Sequence, residues 1–204
     1  MTVQHELLKD PELLYRLTVD EYHQMLKCRA LEDGAPYELL DGHVVRKIRN
    51  ARGEGSMTIG TQHATAVTLI GELNARLRGH DCHVRLQSPI TLQPNDEPEP
   101  DGAIVRGSQR DYKKRHPTAA DVICVIEVAD ASLRRDRGYK QRLYAEHGLP
   151  LYLIVNLANR TVEVRTTPLE ARYQGTEILT SRKRIKVAMP KGKPVVFAAS
   201  ELLP

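Results

Sequence analysis

The order of apolar and polar positions predicts short helices and strands that follow one another along the chain. Residues 18–21, Thr-Val-Asp-Glu, form a capping box, which predicts the start of a short helix. Asp41-Gly42 separates two apolar runs, and an Asp-Gly pair in that position is a strong hairpin signal. Residues 49–60 contain three glycines and several charges without periodicity, which predicts a flexible loop.

Two longer helices and a set of strands are also predicted. Apolar residues recur at helical spacing over residues 63–77, and a second helix is predicted over residues 132–147. The other apolar runs are short and bounded by turn residues, which is typical of strands. They cover residues 86–92, 102–105, 122–128, 151–155, 161–164, 178–179 and 185–187. Strands interleaved with two long helices indicate an α/β fold in which helices flank a mixed central sheet.

Length and composition indicate one soluble domain, or one such domain with a modest appendage. We predict an N-terminal extension over residues 1–16 and a domain over residues 17–204, with its core at about 17–165 and C-terminal strands over 166–204. The apolar runs are shorter than the roughly 20 residues that span a membrane, and the polar first ten residues lack a secretory signal. The three cysteines form no paired motif, which favours a reducing, cytoplasmic setting.

Basic residues cluster along a chain whose formal net charge is only +4. Such clusters suit a polyanion, because neutralised phosphates supply most of the non-specific affinity for nucleic acid. For any single cluster, a solvated surface is the simpler interpretation. The clusters are Arg46-Lys47 with Arg49 and Arg52, Lys113-Lys114-Arg115, Arg134-Arg135 with Arg137, and Arg182-Lys183-Arg184 with Lys186. The charge pattern permits a nucleic-acid partner.

Three charged residues lie where the strands and the second helix can bring them to one sheet edge. Asp101 follows residues 98–100 and precedes an apolar strand, and Glu127 closes five consecutive apolar residues. Lys140 falls on the apolar stripe of the second helix, four residues after Asp136. Carboxylates hold hard divalent cations, and an ammonium group can orient an attacking water. The set predicts a site for such a cation and a phosphodiester; a snorkelling lysine or an Asp136–Lys140 ion pair is the alternative.

The order of these motifs resembles the Uma-type family of restriction endonucleases, which belongs to the PD-(D/E)XK nuclease superfamily. The resemblance covers residues 17 to 164, and the Pro-Glu-Pro-Asp segment is among its most specific parts. The matching residues are Tyr37-Glu38-Leu39-Leu40-Asp41-Gly42, His63, Pro98-Glu99-Pro100-Asp101, Val125-Ile126-Glu127-Val128, Asp136, Lys140, Tyr144 and Gly148. The resemblance implies a restriction-endonuclease-like fold, with a mixed central sheet flanked by helices in a single domain.

The resemblance also implies the metal ligands. Asp101 and Glu127 would bind Mg²⁺ or Mn²⁺, and the carbonyl of Val128 would be a third ligand. Glu38 would reach a metal through a water molecule.

Other residues of the motif have roles that the resemblance defines less closely. Lys140 would be the motif's lysine, displaced from its strand to the helix, since the ordinary position of that lysine is Ala129. Tyr144 would order Lys140 or a phosphate, or would be a core tyrosine, and His63 would be a helix-start residue. Gly102 departs from the family, which tends to have a larger apolar residue at this position.

The implied function is that of a metal-dependent endonuclease that hydrolyses phosphodiester bonds of nucleic acid, with DNA as the expected substrate. A homodimer would supply two sites for the two strands of a duplex. Three alternatives stay open: a catalytically silent nucleic-acid-binding module on the same fold, a phosphoesterase acting on smaller substrates, and an interaction protein without chemistry. The choice between DNA and RNA, any sequence preference and the number of metals are also open.

Overall fold

The computed structural model describes residues 14–32, 36–47 and 60–204. The polar first ten residues and most of the predicted loop over residues 49–60 lie outside the described residues. The chain forms two compact units, Met1–Lys47 with Thr91–Pro98, and Ile48–Ile90 with Glu99–Pro204. None of the helices in the described ranges is both long and apolar enough to cross a membrane. The domain bounds inferred from the sequence stay a prediction.

The first unit contains one helix and one hairpin. They are helix α1 (Val19–Lys27) and strands β1 (Tyr37–Leu40) and β2 (His43–Arg46). The predicted capping box starts α1: the Glu21 amide donates to the Thr18 hydroxyl at 3.2 Å, and the Thr18 amide donates to the Glu21 carboxylate at 2.8 Å. Asp41 and Gly42 have positive φ in the turn, which matches the type of turn that an Asp-Gly hairpin favours. Both predictions are confirmed.

The second unit is built on a six-stranded sheet whose strands lie in sequence order. The strands are β3 (Cys82–Leu86), β4 (Gly102–Arg106), β5 (Val122–Ala129), β6 (Leu151–Asn156), β7 (Thr161–Leu169) and β8 (Arg172–Leu179). Neighbouring strands are antiparallel except β5 and β6, which are parallel. Every residue of β5 and β6 is buried, as in strands covered on both faces. The predicted mixed central sheet is confirmed.

Helical segments cover both faces of this sheet. They are α2 (Thr61–Glu72) with a 3₁₀ turn (Leu73–Ala75), then α3 (Leu133–Arg135), a π-helical turn (Asp136–Lys140) and α4 (Gln141–Glu146). Ile126 and Val128 of β5 share a core with Ile70 of α2, whereas the intervening Glu127 contacts Lys140. Because successive strand residues point to opposite faces, α2 and the π-helical turn lie on opposite sides of β5.

A C-terminal hairpin completes the core of the second unit. Its strands are β9 (Arg184–Val187) and β10 (Val195–Ala198), which are antiparallel. Ile185, Val187, Val195 and Phe197 enter the same hydrophobic core as Ile70 of α2. The hairpin is therefore part of the folded unit and not a loose tail.

One predicted strand, over residues 86–92, is wrong. The strand at this place is β3, which ends at Leu86, and residues 87–90 are irregular. Polar His83 and Arg85 on β3 concealed it from an analysis based on apolar runs. Pro89 lacks the amide hydrogen that a ladder requires, and Leu92 makes only an isolated bridge to Asp96.

Candidate functional site

Asp101 and Glu127 come together at the start of β4. Gly102 pairs with Ile126 in the antiparallel ladder, so Asp101 and Glu127 occupy the next position of the same register. The Val128 amide donates a hydrogen bond to Asp101 Oδ2 at 2.9 Å. Register and hydrogen bond thus hold the two carboxylates beside one another, and both side chains are buried.

Lys140 reaches this place from the π-helical turn. Its Nζ donates a hydrogen bond to Glu127 Oε1 at 2.7 Å, and the Tyr144 hydroxyl donates to the same oxygen at 2.7 Å. Lys140 and Tyr144 are four residues apart, so they share one helix face. Both are buried, which confirms that Lys140 faces inward as the four-residue spacing predicted.

His63 contacts the same site from the opposite helix. It lies in the first turn of α2, and its Nε2 is 3.2 Å from Asp101 Oδ1. Gly102 permits the close approach of α2, because a Cβ at this position would lie 2.5 Å from Ile70 Cγ2. His63 and Ile70 are two turns apart on one face of α2, and this spacing is the sequence signal that places His63 against the sheet.

The site holds more buried negative than positive charge. Asp136, on the π-helical turn, is buried and accepts a hydrogen bond from the Ser132 hydroxyl. Burial raises the pKa of Asp136, and the positive charge of Lys140 opposes that change. When all are ionised, the carboxylates of Asp101, Glu127 and Asp136 and the ammonium of Lys140 sum to −2. Such an excess is costly away from water unless a cation compensates it.

The π-helical turn is held by two further contacts. The Tyr152 hydroxyl donates to the Asp136 carbonyl at 3.1 Å, and burial, with the charges of Asp136 and Glu127, raises the pKa of Tyr152 well above its ordinary value. Arg137 Nη2 lies 2.6 Å from Oε1 of the buried Glu163 on β7. Sequence analysis identified neither Tyr152 nor Glu163, because each contributes from a strand distant along the chain. Together they fix the turn that carries Lys140.

Glu38 is the remaining residue of the predicted site. It lies on β1 of the first unit, opposite Val45, and is buried. Asp101, Glu127, Val128 and Lys140 belong to the second unit. The water-mediated role of Glu38 stays a prediction.

Comparisons with known proteins bear on this architecture. Residues 19–192 match the family Uma2, which carries the description "Putative restriction endonuclease". Among solved structures, the chain is similar to a nuclease described as putative and belonging to DUF820, from Anabaena variabilis. The two are 16% identical, the match covers 91% of this chain and 97% of that chain, and the TM-score is 0.63. No curated protein matches the chain. The structural likeness concerns the fold, and it confirms the predicted restriction-endonuclease-like architecture.

Proposed function

Because this chain belongs to the Uma2 family of restriction endonucleases, we propose that it is a metal-dependent endonuclease that hydrolyses phosphodiester bonds of DNA. The observation that carries the proposal is the buried cluster in which Lys140 bonds Glu127 beside Asp101. Carboxylates can hold a divalent cation, and an ammonium group can stabilise the negative charge that develops on a phosphate.

The residues of the cluster fit a hard divalent cation, Mg²⁺ or Mn²⁺. Asp101 and Glu127 supply carboxylate oxygens and Val128 a carbonyl oxygen, which are the donors that such cations prefer. When all four groups are ionised, the buried charge of −2 on Asp101, Glu127, Asp136 and Lys140 would be balanced by one such ion.

Each residue then has a part in the reaction. The bound cation would neutralise charge on the scissile phosphate and lower the pKa of a water molecule. Asp101 and Glu127 would hold it, with the Asp101 carboxylate oriented by His63 and by the Val128 amide. Lys140 would donate a hydrogen bond to the attacking water or to a phosphate oxygen, which stabilises the charge that develops in the transition state. Tyr144 would keep Glu127 in place.

Plasmid cleavage tests this proposal. The wild-type protein is incubated with supercoiled and single-stranded DNA in Mg²⁺, Mn²⁺ or EDTA, beside Asp101→Asn, Lys140→Met and the control Glu146→Gln. Glu146 is a half-exposed carboxylate whose nearest ion-pair partner is Arg142 at 3.7 Å. We expect cleavage only with metal, its loss in Asp101→Asn, a fall of about 10²-fold or more in Lys140→Met, and an unchanged rate in Glu146→Gln.

Metal binding is measured in parallel, because it reports on the site without cleavage. Paramagnetic titration with Mn²⁺ should show binding to the wild type and to Glu146→Gln, and weaker binding to Asp101→Asn. Cleavage retained in Asp101→Asn would overturn the assignment of the site. Metal binding without cleavage of either DNA would instead support a silent binding module or a phosphoesterase acting on smaller substrates.

A further inference from the structure

The C-terminal hairpin carries a dense positive charge that the proposed reaction does not use. Between Glu177 and Glu201 the chain contains six cations and no acidic residue. The cations are Arg182, Lys183, Arg184, Lys186, Lys191 and Lys193. The whole chain has a net charge of +4, so the rest of the chain without these six carries −2. The net positive charge of the protein therefore comes from this one segment, which we call the basic hairpin (residues 182–198).

The fold turns all six cations outward. On β9 the exposed Arg184 and Lys186 alternate with Ile185 and Val187, which are buried in the core. The other four cations are exposed as well. Within the described residues, no hydrogen bond or ion pair engages any of the six side chains. The core thus fixes a ribbon whose outer surface presents unpaired positive charge.

The basic hairpin lies away from the candidate site. Met189, in the loop between β9 and β10, contacts Cys82 at the start of β3, with 3.7 Å between the two sulfur atoms. The other end of β3 adjoins the site, where the Gln87 amide donates to the Asp101 carbonyl at 3.2 Å. A strand of this length spans roughly 15 Å. The hairpin loop and the carboxylates are therefore at opposite ends of one strand.

We propose that the basic hairpin is a second DNA-binding surface, which holds the phosphate backbone of a duplex without reading its sequence. The choice of DNA as the partner rests on the proposed function. Exposed lysines and arginines without acidic partners supply sequence-independent affinity by neutralising phosphates. A membrane surface fits less well, because the large apolar side chains of the ribbon point into the core and leave no apolar face to insert.

Salt dependence of binding tests the inference, and it does so without cleavage. Fluorescence anisotropy in EDTA measures binding of the full chain to a duplex of about 30 base pairs, at salt between about 50 and 200 mM. The test variant carries Arg184→Gln, Lys186→Gln, Lys191→Gln and Lys193→Gln. A matched control removes four exposed charges that lie outside the basic clusters named above, through Lys27→Gln, Arg78→Gln, Arg110→Gln and Arg172→Gln. A third variant keeps the charge, with Lys186→Arg, Lys191→Arg and Lys193→Arg.

At the lowest salt concentration, we expect the affinity of the test variant for the duplex to be lower than that of the wild type by roughly tenfold or more. The magnitude of its slope of log K against log salt concentration should fall by about 0.9 for each lost phosphate contact. The matched control should keep most of the slope, and the arginine variant should bind like the wild type. Equal loss in the test and control variants would overturn the inference, as would a wild type that binds anionic vesicles but not the duplex. Because the metal-free measurement does not depend on cleavage, a protein that binds but never cuts would contradict only the proposed function.

Discussion

Lys140 on the π-helical turn and Glu127 on β5 form an ion pair of 2.7 Å in which the side chains are only 2% and 4% exposed. Removing two charges from water costs several kcal/mol for each ion, and their attraction repays this only with good geometry and further hydrogen bonds. Tyr144 supplies one such bond to Glu127. An ion pair buried in this way is a costly means of stabilising a fold. Its presence agrees with a role in metal binding and catalysis.

Breaking this pair on one side should destabilise the protein strongly. In metal-free buffer, Lys140→Met should lower the free energy of unfolding by about 3–5 kcal/mol, because it removes the ammonium group that pairs with the buried Glu127 carboxylate. The double variant Lys140→Met/Glu127→Leu should recover part of that loss, since neither charge is then buried. Urea denaturation measures the four free energies of the cycle. Additive losses would show that the two side chains do not interact.

Tyr144→Phe should affect cleavage more than stability. It removes the hydroxyl that holds Glu127 Oε1, and we expect a fall of about tenfold in rate, equivalent to about 1.4 kcal/mol of transition-state stabilisation. Tyr173→Phe is the matched control, because it removes a buried tyrosine hydroxyl that donates to the Leu149 carbonyl at 2.8 Å instead. Each variant should lose about 1 kcal/mol of stability. Equal rates in the two variants would argue against a role of Tyr144 in positioning Glu127.

Gly102 should be intolerant of even a methyl group. Its Cβ would lie 2.5 Å from Ile70 Cγ2, so Gly102→Ala must push α2 away from β4 at a cost of about 1–3 kcal/mol. Ile70→Ala alone should cost about 2–5 kcal/mol by leaving a cavity. The double variant should lose less than the sum, since the new methyl enters that cavity. Thermal unfolding of the four proteins measures the difference, and strict additivity would contradict the packing described here.

Asp121 should make stability depend on pH. Burial raises its pKa, but hydrogen bonds from Arg115 and Thr118 outweigh this and lower the pKa of Asp121 from 3.8 to about 2. A depressed carboxyl pKa stabilises the folded state above pH 3.8, and this contribution is lost as the pH falls towards about 2. Asp121→Asn should therefore cost on the order of 1 kcal/mol at pH 7. This cost should shrink as the pH falls from 3.8 towards about 2.

Denaturant unfolding between pH 7 and the acid limit of the native state measures this cost. Glu146→Gln is the control, because its carboxylate is half-exposed and lies 3.7 Å from Arg142. A cost of Asp121→Asn that does not change with pH would contradict the assignment.

Features encoded over short stretches were predictable from the sequence. The Thr18–Glu21 capping box and the Asp41-Gly42 turn depend on backbone groups within four residues, so local chemistry decides them. The inward position of Lys140 followed from its spacing with the apolar residues of its own helix. The position of Asp101 directly before β4 followed in the same way from the apolar run after it, whereas Glu127 lies within β5, two residues before that strand ends at Ala129.

Features that depend on distant pairing were not predictable. His63 and Asp101 are 38 residues apart, and Arg137 and Glu163 are 26 apart, so these contacts exist only once the sheet and helices have packed. Strand β3 escaped detection because His83 and Arg85 lie on it. The His83 ring is buried, and its Nδ1 lies 2.8 Å from the Gly107 carbonyl. This contact makes a polar residue acceptable in a buried strand, although a polar residue at that position argued against a strand in the sequence.

The π-helical turn over Asp136–Lys140 makes the position of Lys140 depend on the number of residues before it as well as on their identity. Successive residues of a regular helix are rotated by about 100° around its axis. Gly138 is exposed and has open space around it. Deletion of this residue would rotate the part of the helix after it by that angle relative to the part before it. Lys140 and Tyr144 could then no longer share a face with Asp136. A single deletion that removes no charged side chain can therefore displace Lys140 and abolish the activity of such a site. The number of residues in this segment thus separates sequences that can form the site from sequences that cannot.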